Sequence, residues 1–337
     1  MRGRDRLPIV GLFVATSVVI KVALLLVDAQ PRFFLGDSGS YLATAIGGYI
    51  PRDRSWLYGL FAVAVTGATR SLETLVVLQS LAGVFVSVSA GVFATLRCGV
   101  PNRLGWVLVV LTSLDPLALW CERSVLTESF GVASFWAATL LLVAVAERPT
   151  LGTGLLLAGS TLLAVALRTA FAPHALVTVA ICAWLTTRTW RTTARVPLAA
   201  GLLILVGLRG YAALSGALVD APPALNPRAG AFLVGLVAPI VTARDFDGLG
   251  VRDPAAVLRA ARSHDFWRRN AQTFDDDGIF RLLEQETGDW QTANRIASVA
   301  ARRAARRDPA GTLLIARITA LQYLDVRRYR DQFLIHG

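Results

Sequence analysis

Charge is scarce in this sequence. Only 17% of its 337 residues are Asp, Glu, Lys or Arg, against 54% hydrophobic residues and a mean hydropathy of +0.54. A soluble domain carries about a quarter charged residues, so the shortage excludes a soluble reading of most of the chain. Lys21 is the sole lysine among 34 basic residues and Met1 the sole methionine; both absences read as the codon bias of a GC-rich bacterial genome, without chemical meaning. Cysteine is nearly missing. Cys98, Cys121 and Cys182 are scattered without metal-ligand spacing, which argues against a disulfide framework and against a metal site. Of the three histidines, His174 follows Pro173 and reads as a packing residue, while His264 and His336 have no partner at useful spacing. The run Asp275-Asp276-Asp277-Gly278 lacks the alternating oxygen ligands and distal glutamate of a calcium loop and reads as a solvated turn. Internal repeats and low-complexity tracts are absent.

What is abundant is apolar sequence in long blocks. Those at 7–27, 74–96, 126–146 and 196–214 each match the roughly 20 residues that cross a bilayer core. The first follows Arg2, Arg4 and Arg6 and superficially resembles a signal peptide. It is too long and lacks a small-residue cleavage site, so it reads as a retained anchor. A net charge of +11 would suggest a nucleic-acid partner in a soluble protein, but here the arginines cluster between apolar blocks and read as topogenic charge. Counting spans at 7–27, 74–96, 104–119, 126–146, 151–167, 171–185 and 196–214 puts Arg2, Arg4, Arg6, Arg97, Arg103, Arg148, Arg188, Arg191 and Arg195 on one side, as the positive-inside rule requires. Residues 57–69 are apolar but too short to span and read as an interfacial or re-entrant helix; a true span there would invert the later loops.

After Asp220 the character changes. Ala221-Pro222-Pro223 and Asn226-Pro227 mark a loop, and 231–241 is one further short apolar piece. Residues 244–337 are soluble-like, with 16 arginines against 13 acids, and carry helical patterns over 254–262 and over 292–307, the latter stopped by Asp308-Pro309. Residues 311–324 are apolar but too short to span. The expected architecture is all-α: a polytopic transmembrane bundle of about seven spans plus partial helices in residues 1–243, and an external helical C-terminal region in 244–337. The expected place is a bacterial cytoplasmic (inner) membrane, with the N-terminus cytoplasmic.

Several polar groups fall on the external side by this count. Asp37, in Gly36-Asp37-Ser38-Gly39-Ser40-Tyr41, follows the first span; an isolated Gly-Asp-Ser reads first as a helix cap. Glu128 opens the fourth span in Leu126-Thr127-Glu128-Ser129. A first-turn carboxylate suits the helix dipole, but an ionisable group at the apolar boundary is costly enough to suggest function. Glu122 and Arg123 precede it and read either as a solvated pair or as substrate contacts. Arg168 lies between the fifth and sixth spans and Arg209 in the outer part of the seventh. Snorkelling explains both blandly, whereas a guanidinium at a lipid-facing cleft also suits a lipid phosphate. That Asp37, Glu128, Arg168 and Arg209 share one face is the functional signal.

Together these features resemble the GT-C superfamily of polytopic glycosyltransferases, including the protein mannosyltransferase and aminoarabinose transferase types. The resemblance lies in Gly36-Asp37-Ser38 with Tyr41-Leu42-Ala43, in Arg54-Ser55-Trp56-Leu57-Tyr58, which is similar to an Arg-x-Pro-x-Tyr stretch, in Leu126-Thr127-Glu128-Ser129, in Arg168, and in a helix ending at Asp308-Pro309. Trp56 stands where proline is usual, and the chain stops at Gly337 where such enzymes continue through further spans. The resemblance implies external transfer of a sugar from a polyprenyl-phosphate carrier to a glycan, lipid or protein hydroxyl. Asp37 would serve as general base, Arg168 with Arg209 would stabilise the leaving phosphate, and Tyr41, Arg54, Glu122 and Arg123 would contact substrate. Glu128 would hold the acceptor, orient Arg168 or help bind a divalent ion such as Mg2+ or Mn2+; two carboxylates are too few oxygen ligands to assert a metal. The competing readings are a transporter or flippase of a lipid-linked or anionic molecule and a non-catalytic membrane subunit.

Overall fold

The structure is a computed structural model that describes residues 6–34, 37–188, 194–258 and 263–325. Arg2, Arg4, Gly36, Arg191, the latter half of the expected helix over 254–262, and the side chains of Arg6 and Arg188 lie outside the described residues. Among the described residues the chain is helical, with one isolated bridge joining Arg32 to Ser124. It divides into two compact units, Met1–Leu225 and Asn226–Gly337.

The first unit contains α1 (Arg6–Val27), α2 (Asp37–Gly47), α3 (Trp56–Thr69), α4 (Glu73–Leu96), α5 (Asn102–Ser113), α6 (Pro116–Arg123), α7 (Glu128–Glu147), α8 (Leu151–Leu167), α9 (Ala172–Arg188) and α10 (Arg195–Ala217). Five of its helical stretches, Leu7–Val27, Glu73–Leu96, Glu128–Glu147, Thr169–Thr187 and Arg195–Ala217, are long and apolar enough to cross a membrane; α5 with α6 makes a sixth if the bent pair is one span. Their apolar residues face outward as well as inward. Leu12, Val19, Leu156, Leu202 and Val206 are exposed, the reverse of a soluble bundle and compatible with a multi-pass membrane protein.

Polar and small residues sit between the helices instead, where they allow close approach and hydrogen bonding in apolar surroundings. Ser17 on α1 meets Ser113 on α5 at 3.0 Å. The indole N–H of Trp136 on α7 donates to Ser89 on α4 at 2.8 Å. A Cβ on Gly91 of α4 would stand 2.4 Å from Val109 of α5, and one on Gly105 only 2.1 Å from the Thr95 hydroxyl, so these two glycines let α4 and α5 touch. The short helix α3 packs on α2 in the same way, Gly59 lying where a Cβ would be 2.4 Å from Thr44 Cβ.

One expectation is corrected here. The straight span over 104–119 followed by an external turn is instead two helices bent by 45°. Pro116 has no N–H to continue α5 and biases its predecessor away from helix, and the Asp115 carboxylate caps the restart by accepting from Leu117 N at 2.8 Å. The helix then runs through Trp120 to Arg123, so Glu122 and Arg123 are helical and buried, not a solvated pair.

The second unit comprises α11 (Ala229–Val237), α12 (Pro254–Val257), α13 (Phe266–Phe274), α14 (Ile279–Thr287), α15 (Trp290–Arg307) and α16 (Pro309–Leu324). The pattern in 292–307 forms α15, capped by Asp289, with Ala293, Ile296, Ala297, Ala300 and Ala304 on one buried stripe. The apolar piece 231–241, assigned by sequence to the membrane part, is core of this unit: Ala231, Val234, Val237, Ala238 and Val241 pack with Phe246, Phe280 and Ile296. Arg307 fastens the segment after it, donating to Asp245 at 2.8 Å and 3.2 Å.

Candidate functional site

At one end of the first unit converge the chain leaving α1, the N-termini of α2 and α7, and the C-termini of α6 and α8. The chain after α1 is tied to the α6–α7 connection by backbone bonds, with Arg32 N donating to Arg123 O at 2.7 Å and Val125 N to Arg32 O at 3.0 Å. Ser38 extends the tie. Its hydroxyl accepts from Phe34 N at 2.8 Å and donates to Val125 O at 3.0 Å. Neither bond of Ser38 caps α2: both tie the start of the helix to the neighbouring chain, and the Asp37 carboxylate turns to other partners.

Asp37 takes a bond from Arg54 Nη1 at 2.5 Å, and Arg54 also forks onto Asp53 at 2.9 Å and 3.1 Å. Glu128 pairs with Arg168. The two pairs share one electrostatic site, since the charge of Asp37 is felt alongside those of Glu128, Asp53 and Arg168. Enclosure pushes the Asp37 carboxyl above the usual range, with Arg54 pulling the other way. Its tip remains open, with 39% of the side chain accessible. Arg168 is 43% accessible. Tyr41 lies beneath, 3% exposed, bonded to Thr127 and edge-on to Tyr58 at 4.8 Å. Burial pushes its phenol up, so it stays neutral. The structure therefore brings Asp37, Tyr41, Arg54, Glu128 and Arg168 together.

It does not bring in the rest. Arg209 is exposed on α10 and pairs with no acid among the described residues. Glu122 and Arg123 point into the bundle: Arg123 donates to Ser80 on α4 at 3.1 Å, and Glu122 receives the Lys21 ammonium of α1 at 2.7 Å and 2.9 Å. Lys21, dismissed as codon bias, is thus half of an ion pair buried between apolar helices. The signal for it was its position as a lone charge within an apolar span. Asp53, Tyr58 and Gln79 were also missed. Tyr58 donates to Gln79 at 2.8 Å, and the Gln79 amide donates to the carbonyls of Glu122 and Ser124 at 2.8 Å and 2.9 Å.

Along the C-terminal half of α8, which ends one residue before Arg168, lies an apolar groove of about 260 Å³ lined by Leu57 of α3, Leu162, Leu163, Val165 and Ala166 of α8, and Gly207, Leu208 and Tyr211 of α10. Tyr211 bonds the Ala166 carbonyl at 3.1 Å and stacks on Trp56. Asp37 and Glu128 each face a guanidinium, and no group of three or more His, Cys, Asp or Glu side chains gathers among the described residues.

No protein family, curated protein or solved structure matches the chain.

Proposed function

We propose that this protein is a membrane glycosyltransferase of GT-C type, moving a sugar from a polyprenyl-phosphate carrier to an acceptor hydroxyl at the external face. The observation that carries the reading is the meeting of two acid–arginine pairs, Asp37–Arg54 and Glu128–Arg168, at one end of an apolar bundle with an apolar groove along α8. An ionised base and a fixed cation on either side of one reacting carbon are what displacement of a phosphate by a hydroxyl needs.

In this reaction the acceptor oxygen attacks the anomeric carbon while Asp37 takes its proton. The bond from that carbon to the phosphate oxygen breaks, its electrons leave with the polyprenyl phosphate, and Arg168 neutralises the departing charge. Glu128 orients Arg168, Arg54 favours the ionised form of Asp37, and Tyr41 packs beneath them. In-line attack inverts the anomeric centre. The groove offers apolar surface for the first isoprene units next to the phosphate.

The topology that accommodates this has seven spans. The five long helices and the bent pair make six, and α8, at 17 residues, is at the short end of spanning length. With the N-terminus inside, this delivers the cluster and the second unit to the outside, in a bacterial cytoplasmic membrane. The test is transfer from an isotopically labelled polyprenyl-phosphate sugar by the purified protein in nanodiscs. The reading expects product of inverted configuration; retained configuration would remove Asp37 as base. A transporter of a lipid-linked or anionic substrate is the second reading, favoured by the Lys21–Glu122 pair inside the bundle. Accessibility of a cysteine beside Asp37 from both sides of the membrane would select it.

A further inference from the structure

Between α1 and α6, Lys21 and Glu122 are 3% and 2% exposed, about 9 Å of helix short of the end of α1. The pair has a prepared seat. A Cβ on Gly83 of α4 would stand 2.0 Å from Glu122 Oε1, so the glycine is the space the carboxylate occupies. A buried ion pair is not a gain in stability over apolar residues of the same volume, because desolvating two ions offsets their attraction. What such a pair does supply is a single geometry.

That geometry is handed to the site through a short strap, residues 122–128. At one end the strap is held by Lys21 on the Glu122 side chain, by Ser80 on Arg123, and by the Gln79 amide on the carbonyls of Glu122 and Ser124. In its middle the Arg123 carbonyl and the Val125 amide pair with Arg32, and the Val125 carbonyl accepts from Ser38, next to Asp37. At the far end it carries Thr127, which bonds Tyr41, and Glu128, which holds Arg168. We propose that Lys21 and Glu122 are positioning residues that fix the strap and, through it, set Asp37 and Glu128 in one register. The assignment to catalysis rests on the transfer reading above; the assignment to the strap does not.

The experiment uses the full chain in nanodiscs and compares wild type with Lys21→Met/Glu122→Leu, which removes both charges together and leaves neither unpaired, and with Gly83→Ala, which keeps both charges and takes away their space. Two readouts are taken: amide hydrogen exchange across residues 120–128 and the transfer kinetics. Expected in both variants is exchange at the Arg32 and Val125 amides faster by roughly tenfold or more, with α4 and α7 unchanged. Expected with it is a fall in kcat on the order of 100-fold at nearly constant KM, as a misplacement of about 1 Å gives. Unchanged exchange in the strap of a folded double variant overturns the inference whatever the activity does. Faster strap exchange with unchanged kcat removes the catalytic part of it. Faster strap exchange in a protein whose wild type transfers nothing keeps Lys21 and Glu122 as strap-fixing residues and removes the transferase reading instead.

Discussion

Arg54 and Arg168 divide the work at the level of single side chains. Enclosure raises the Asp37 pKa and Arg54 pulls it down, which on the proposed reading favours the ionised base. A base must be unprotonated to act, so if Asp37 is the proposed base the rate falls as pH drops through its pKa. Replacing Arg54 with Gln removes the counter-charge and moves that acid limb to higher pH, to be read from kcat/KM against pH. Arg168→Lys keeps the charge but loses the planar fork; kcat/KM for the polyprenyl-phosphate sugar falls on the order of 100-fold, and direct kinetics check it. Asp37, Glu128 and Arg168 stand in this cluster, and their common side was readable from charge and hydropathy; Tyr41 and Arg54, which join them, were singled out only by the resemblance. Glu122, Arg123 and Arg209 were misplaced for a different reason. Which way a helical side chain faces depends on packing partners more than 40 residues away, such as Ser80 for Arg123 and Lys21 for Glu122.

Helix ends and crossings, rather than helix interiors, set the site's shape. The Asp115-Pro116 restart aims α6 so that Glu122 enters the bundle, and the Gly59 contact with Thr44 seats α3 against α2, which starts at Asp37. Gly59→Val forces these two helices apart. It destabilises the protein by about 1–3 kcal/mol, measurable as a lower thermal midpoint in detergent, and it lowers activity by displacing Asp37. The long apolar spans were legible because hydropathy over 20 residues is a strong signal. The bend at Asp115-Pro116 carried a local signal too, in a proline preceded by a capping residue, but a hydropathy block reads straight through it. The segment 231–241 was misassigned because a short apolar run looks the same whether lipid or a helical core such as that around Phe246 and Ile296 covers it.

For the whole molecule, the claim is that one face of an apolar bundle carries out the chemistry. With seven spans, and with Cys98, Cys121 and Cys182 replaced by Ser, cysteines placed at the exposed Gly39 and Ala170 react with a membrane-impermeant thiol reagent added outside, while one at the exposed Arg148 reacts only after permeabilisation. A cysteine at Gly39 that labels only from inside would overturn the topology. The most direct test of the central claim is release of free polyprenyl phosphate from a panel of polyprenyl-phosphate sugars, with membrane glycans as acceptor, by purified wild type and by Asp37→Asn. The account predicts release by wild type and at least a hundredfold less by the folded variant. Equal release by both, or none by wild type with any donor, would contradict it.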